Sequence, residues 1–276
     1  PKIPIPDGIY EEFCAGFPFI ETEDQVGAIS SVLEDLASGH PTDRLICGDV
    51  GFGKTEVALR AAFAVAYDGK QVVIVVPTTL LCRQHYHVFQ KRFAGFPIRI
   101  EQLSRLVPSG EVKSVKEGLE EGSVDIVIGT HALLAQDVRF RQLGLLIIDE
   151  EQHFGVAHKE RLKKLRADIH VISLTATPIP RTLQLALAGI REMSLIATPP
   201  VDRLAIRTFV LPFDPVVVRE ALIREKYRGG QSYFVCPRVA DIPKVEKRLR
   251  ELVPELKFGN AHGRMSSKEL ETTISA

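Results

Sequence analysis

The chain of 276 residues carries no excess of either charge, since Lys+Arg and Asp+Glu both number 35. That balance removes the bulk electrostatic signature of a nucleic-acid binder and leaves only local basic surfaces open. Cysteine is sparse: Cys14, Cys47, Cys82 and Cys236 are scattered, with no C-x-x-C pair. Such spacing argues against a disulfide framework or a metal site and fits a reducing, cytoplasmic setting. Cys47 and Cys236 lie in apolar runs and read as small core residues. No apolar run approaches the ~20 residues of a membrane span. The proline-rich start, Pro1-Lys2-Ile3-Pro4-Ile5-Pro6-Asp7-Gly8, lacks the apolar region of a signal peptide. Residues 1–15 read as a linker or extension. There is no short-period repeat and no low-complexity tract. What remains is ordinary globular composition, 45% hydrophobic and 25% charged, at a length that allows one large domain or two smaller ones.

The most specific stretch present is Gly48-Asp49-Val50-Gly51-Phe52-Gly53-Lys54-Thr55, which matches the phosphate-binding pattern G-x-x-x-x-G-K-[ST]. It follows the apolar run 45–47 and opens a helical pattern, the strand–loop–helix context that the motif requires. Glycines at 48, 51 and 53 let the backbone wrap a triphosphate with its N–H groups inward. The helix N-terminus adds positive dipole character at the same place. In this reading Lys54 reaches the β/γ-phosphates of ATP, and the Thr55 hydroxyl ligates Mg²⁺. A second site follows the apolar run 145–148: Asp149-Glu150-Glu151-Gln152. Acidic residues at the carboxyl end of a buried parallel strand land in the crevice where doubly wound sheets bind ligands. Asp149 suits the Mg²⁺-water shell, and Glu150 suits the base that orients the attacking water.

From residue 44 onward, apolar runs alternate with amphipathic stretches. Strands are expected at 45–47, 72–76, 98–103, 124–128, 145–148 and 171–174, and helices at 54–67, 79–93, 111–121, 157–166 and 181–188. That alternation predicts an α/β fold, a parallel sheet with helices on both faces. The double proline in 197–203 forces extended backbone and reads as an inter-domain linker over 199–205. The alternation then restarts, with strands expected at 206–211, 231–236 and 256–260 and helices at 215–227 and 242–252. This predicts a second α/β lobe over 206–276 that is begun and not finished.

Four weaker features lie near these motifs. Thr78 can cap a helix and donate to a nucleic-acid phosphate. On the same helix Gln84 is the better phosphate candidate, and the remaining charges, His85 among them, read as a solvated basic face. Gly129-Thr130-His131 ends another strand on the same rim, so Thr78 and Thr130 together mark a groove for a nucleic-acid backbone. Thr175-Ala176-Thr177 follows the strand 171–174 and reads as an element coupling nucleotide state to lobe orientation. Phe19 and Gln25 form an adenine site, the ring stacking and the amide reading both edges of the base.

Taken in order, Phe19/Gln25, 48–55, 77–81, 129–131, 149–152 and 175–177 resemble the first RecA-like lobe of a superfamily 2 helicase or translocase. The finer resemblance is to the RecG-like group and, within it, to the bacterial transcription-repair coupling factors. It is carried by 48–58, including Phe52 and Glu56, by 129–134, 149–156 and 175–182, and by 196–200 at the lobe boundary. The resemblance implies a RecA-like P-loop NTPase fold for residues 16–198 and a monomeric, ATP- and Mg²⁺-dependent motor on double-stranded DNA. It implies DNA contacts from Thr78, Gln84, Thr130, His131 and Arg264, and a nucleotide-sensing role for Gln152. Many RecG-like motors carry His-Arg where this chain has Gln152-His153. RNA polymerase and excision-repair proteins are the family's partners, through regions outside this chain. The arginine finger of such motors also lies outside it, so the expectation is nucleotide binding with poor turnover. The alternatives are a fork-remodelling helicase of the RecG type and a nucleotide-binding interaction module without motor activity.

Overall fold

The computed structural model describes residues 2–105, 107–135, 137–154, 168–176, 192–201, 206–266, 269–270 and 272–273. It divides into two compact units, Pro1–Arg203 and Leu204–Ala276. The expected helices at 157–166 and 181–188 lie outside the described residues.

In the first unit the order is α1 (Ile9–Ala15), α2 (Glu23–Ala37), β1 (Asp43–Gly48), α3 (Lys54–Tyr67), β2 (Gln71–Val75), α4 (Thr79–Arg92) and β3 (Ile100–Leu103), then α5 (Ser109–Glu121), β4 (Ile126–Gly129), β5 (Leu143–Asp149), β6 (His170–Thr175) and β7 (Glu192–Ile196). The seven strands form one parallel sheet in the order β3-β4-β2-β5-β6-β1-β7. Successive side chains of a strand point to opposite faces, and here both faces are covered. Val72, Ile74, Leu145 and Ile147 join the core under α1–α4, whereas Val73, Val75, Leu146 and Ile148 join a second core with Val115 and Leu119 of α5. That two-sided burial is why these strands read as continuous apolar runs. β7 was not expected. It is an edge strand with a mostly half-exposed pattern, so it carries no apolar run to betray it.

Residues 2–15 are not a free linker. Ile3 is fully buried and donates its backbone N–H to Leu36 O at 2.9 Å. Phe13 of α1 stacks on Phe63 of α3 with ring centroids 4.2 Å apart. The prolines hold this segment extended, but its few apolar side chains find a surface on α2 and α3, and burial of each contributes ~1.5–3 kcal/mol.

Helix α3 is buried along almost its whole length, including Glu56 and Arg60. Two buried charges demand partners. Glu56 Oε1 accepts from Arg60 Nε and from Arg92 Nη2 of α4, both at 2.9 Å. Arg60 also pairs with Glu21, and Arg92 donates to Phe13 O at 2.9 Å. The cluster ties α1, α3 and α4 together.

The second unit contains α6 (Pro215–Tyr227), a short 3₁₀ turn and α7 (Ile242–Leu252). Asp214 caps α6 by accepting from Val216 N at 2.8 Å, and Pro215 opens it. Arg219 donates to Leu252 O and Glu255, joining the end of α7 to α6. The runs 206–211, 231–236 and 256–260 form no strand ladder among the described residues, contrary to expectation. An extended segment becomes a strand only by hydrogen-bonding a neighbour, and Val210 and Val235 instead stand 95% and 85% exposed. Among the described residues no helix is long and apolar enough to cross a membrane.

Candidate active site

Three adjacent strands deliver the site. β6 lies between β1 and β5, and the register sets Cys47 beside Thr175 and Leu174 beside Asp149. The loop leaving β1, the acidic turn leaving β5 and the threonine turn leaving β6 therefore share one rim of the sheet.

The loop 48–53 turns through Gly51 and Gly53, at φ 81° and 82°, a left-handed backbone that other residues adopt only under strain. Gly53 is also the N-cap of α3. A Cβ there would also overlap the Gln25 amide and push that side chain off the loop. Lys54 Nζ donates to Gly48 O at 2.6 Å and Asp49 O at 3.0 Å, folding across the loop it follows. Burial pushes its pKa below the usual lysine value, while the carboxylates of Glu150, Asp149 and Asp49 pull the other way. Lysine and acidic turn thus face a common space.

Glu150 is the only non-glycine residue with positive φ among those described, at φ 51° and ψ 57°. Such a conformation costs ~1–3 kcal/mol and persists where surrounding structure imposes it. Here its backbone N–H donates to Leu174 O at 2.9 Å. Its carboxylate accepts from Ala176 N at 3.1 Å, Thr175 Oγ1 at 3.3 Å and the Gln152 side chain. Gln152 and Thr175, expected as coupling residues, are brought together on this one carboxylate. Thr177, expected with them, lies outside the described residues.

His85 was read as part of a solvated face. Instead its Nε2 lies 3.1 Å from Asp149 Oδ2, and both side chains are largely buried. The signal was available: His85 falls three residues after Cys82 and four before Phe89, the two buried positions of α4.

Gln25, expected to read adenine, has both ends of its amide engaged inside the protein. Oε1 accepts from Thr22 N at 3.0 Å in a capping box, and Nε2 donates to Phe52 O at 2.8 Å. It braces the loop. Phe19 is exposed and meets Phe17 edge-on. On the groove side, Thr78 and Gln84 are exposed, with Thr78 capping α4 through Leu81 N. Thr130 is not available there: it is 2% exposed and its hydroxyl is buried without a partner. Gly129 ends β4 beside Leu103 of β3, and Thr130 N donates to Leu103 O at 3.3 Å. His131, beside it, is half-buried and contacts Arg105 at 3.2 Å. Arg264 is exposed in the second unit.

A phosphate-bound magnesium ion needs few protein ligands, because it keeps waters and takes oxygens from its nucleotide. Two oxygen donors of that kind lie on this rim: Thr55 in the first turn of α3 and Asp149 at the end of β5.

A parallel sheet with a glycine loop after β1 and an acidic turn after β5 defines a P-loop nucleotide-binding fold. The chain belongs to the DEAD/DEAH box helicase family, matched over residues 22–186. It is 55% identical over 270 residues to the transcription-repair-coupling factor of Rickettsia bellii and 53% identical over 265 residues to that of Escherichia coli. Each alignment covers 96% of this chain, which spans about a quarter of the length of these relatives (24% and 23%). The solved structure of RecG bound to a three-way DNA junction matches with a TM-score of 0.79 and 34% identity, over 99% of this chain and 37% of that one. The resemblance read from the motifs, and the RecA-like fold it implied, are therefore borne out.

Proposed function

We propose that this chain is the ATP-binding part of a double-stranded DNA translocase of transcription-coupled repair, in a protein that displaces stalled RNA polymerase. The observation that carries this reading is the convergence of Lys54, Asp149 and Glu150 on one rim, with Glu150 held by three donors in a strained backbone. A scaffold that merely binds nucleotide has no use for a carboxylate so placed. Residues 16–198 would act as the first RecA-like lobe, 199–205 as a linker, and 206–276 as a contribution to the second.

In this reading loop 48–53 and Lys54 hold the ATP phosphates, and Phe19 lies on the base side. Thr55 and, through water, Asp149 hold Mg²⁺, which supplies charge neutralisation at the β- and γ-oxygens when bound. Glu150 takes the proton of the attacking water. The hydrogen bonds from Ala176, Thr175 and Gln152 aim its carboxylate, and strand β6 thereby senses what happens at the γ-phosphate. Thr78, Gln84, His131 and Arg264 contact DNA phosphates, which gives salt-sensitive, sequence-independent binding.

The test is nucleotide binding followed by single-turnover hydrolysis. Lys54→Ala should weaken Mg·ATP binding by ~10–100-fold, the loss of a charged hydrogen-bond donor. Glu150→Gln should bind like the native chain and hydrolyse ~10²–10⁴-fold more slowly. Equal hydrolysis by native and Glu150→Gln chains would discard the catalytic role and favour the interaction-module reading. The RecG likeness keeps a second reading in play, a fork remodeller. Preference for a three-way junction over linear duplex in the longer protein would select it.

A further inference from the structure

The first turn of α2 holds two segments at once. Gln25 donates to Phe52 O of the phosphate loop at 2.8 Å. One residue earlier, Asp24 Oδ2 accepts from Ala197 N at 2.9 Å and Thr198 N at 2.8 Å. Ala197 and Thr198 directly follow β7, whose last residue, Ile196, pairs with Gly48, the last of β1. That pairing is close: a Cβ on Gly48 would come within 3.0 Å of Ile196 O. The loop and the segment by which the chain leaves the first unit therefore start side by side and are gripped by adjacent residues of one helical turn. The turn itself is stiff, because Thr22 and Gln25 close a capping box around it. The grip is also charge-assisted: hydrogen bonds from the Thr198 side chain and from the two backbone N–H groups hold the Asp24 carboxyl below the usual carboxylate range.

We infer that Asp24 is a positioning residue that ties the exit segment 197–198 to the phosphate loop, so that nucleotide binding at the loop is felt where the chain leaves the first unit. The inference rests on the reading of loop 48–53 as a nucleotide site. A nucleotide that draws the loop inward must move or stiffen Phe52, and Phe52 is tied through Gln25 to the turn that holds Asp24. Nothing in the motifs marks Asp24, which in sequence is an ordinary acidic residue in the first turn of a helix.

Hydrogen exchange tests it on the whole chain, since the amides of Ala197 and Thr198 are the two donors. In the native chain, saturating Mg·ADP should slow exchange at both, alongside slowing at Phe52 and Gly53. Asp24→Ala should speed exchange at 197 and 198 by at least about tenfold, the loss of hydrogen bonds to a charged acceptor. It should remove their response to Mg·ADP while leaving the response at 52 and 53 and the Mg·ADP affinity in place. Asp24→Asn, which keeps an acceptor oxygen, should restore part of the response. Two results overturn the inference: exchange at 197 and 198 that ignores Mg·ADP in a native chain that binds it, or a response that survives in Asp24→Ala. A native chain that fails to bind Mg·ADP, matching Lys54→Ala, would instead remove the nucleotide-site reading and this inference with it.

Discussion

The two units carry the same alternation of apolar runs and amphipathic helices, yet among the described residues only the first contains a sheet. In the first, each apolar run has a neighbour on at least one side, and every central strand is sandwiched between helix-backed cores. In the second, α6 and α7 form as expected while the apolar runs around them stay exposed. Leu249 and Val253 are the buried side chains among its described residues. The difference separates two kinds of structure. A helix satisfies its backbone within itself and needs only a cap and a few packed side chains. A strand satisfies its backbone through another strand, so its sequence pattern states a need that tertiary structure must meet.

That contrast can be tested by perturbing one unit at a time. The largest effect belongs to the aromatic centre of the first unit. Phe63 is fully buried and contacts Tyr10, Phe13, Tyr67, Phe93 and Phe96. Phe63→Ala should cost ~3–5 kcal/mol, read as faster exchange of the β1, β2 and β5 amides with no change in α6. Comparable in size is Glu56→Ala, which strands Arg60 and Arg92 together; breaking a buried pair costs ~3–5 kcal/mol, and the same sheet amides report it.

A smaller effect is expected at Glu21. The hydrogen bond from Arg60 holds its carboxyl below the ordinary glutamate value. A depressed folded pKa means the unfolded chain binds the proton more readily, so the stabilisation is complete above that value and fades as pH falls through the folded pKa. Denaturation midpoints of native and Glu21→Gln chains should therefore differ near neutral pH and converge in acid. The smallest effect sharpens the comparison from the other side. Val210→Ser, at a 95% exposed position, should change stability by no more than ~0.5 kcal/mol. A loss of several kcal/mol would mean that the run 206–211 is packed in solution.

Much of the candidate site was legible because its geometry is local. The glycines of 48–53 and the lysine after them are a continuous segment, and the acids of 149–151 end a strand visible as an apolar run. Gln152 and Thr175 were also singled out, although their shared hold on Glu150 depends on β5 and β6 being neighbours. The departures from expectation come from packing and contacts that only the folded chain makes. Thr130 reads as a rim donor but is 2% exposed. Gln25 looks free to meet a base but is engaged by Thr22 and Phe52. His85 looks solvated but meets Asp149 from another element. Asp24 gave no signal, because its partners lie more than 170 residues away, at 197 and 198.

By itself the sequence determined the family, the parallel α/β class, the phosphate loop and helices α3 to α7, since each depends on short-range spacing and on periods of two and 3.6 residues. Only the tertiary structure decided which runs became strands, which polar side chains face the rim, and that one turn of α2 grips both the loop and the exit from the first unit. Those outcomes depend on which segments are neighbours in space, and strand order places beside one another residues that the chain keeps far apart.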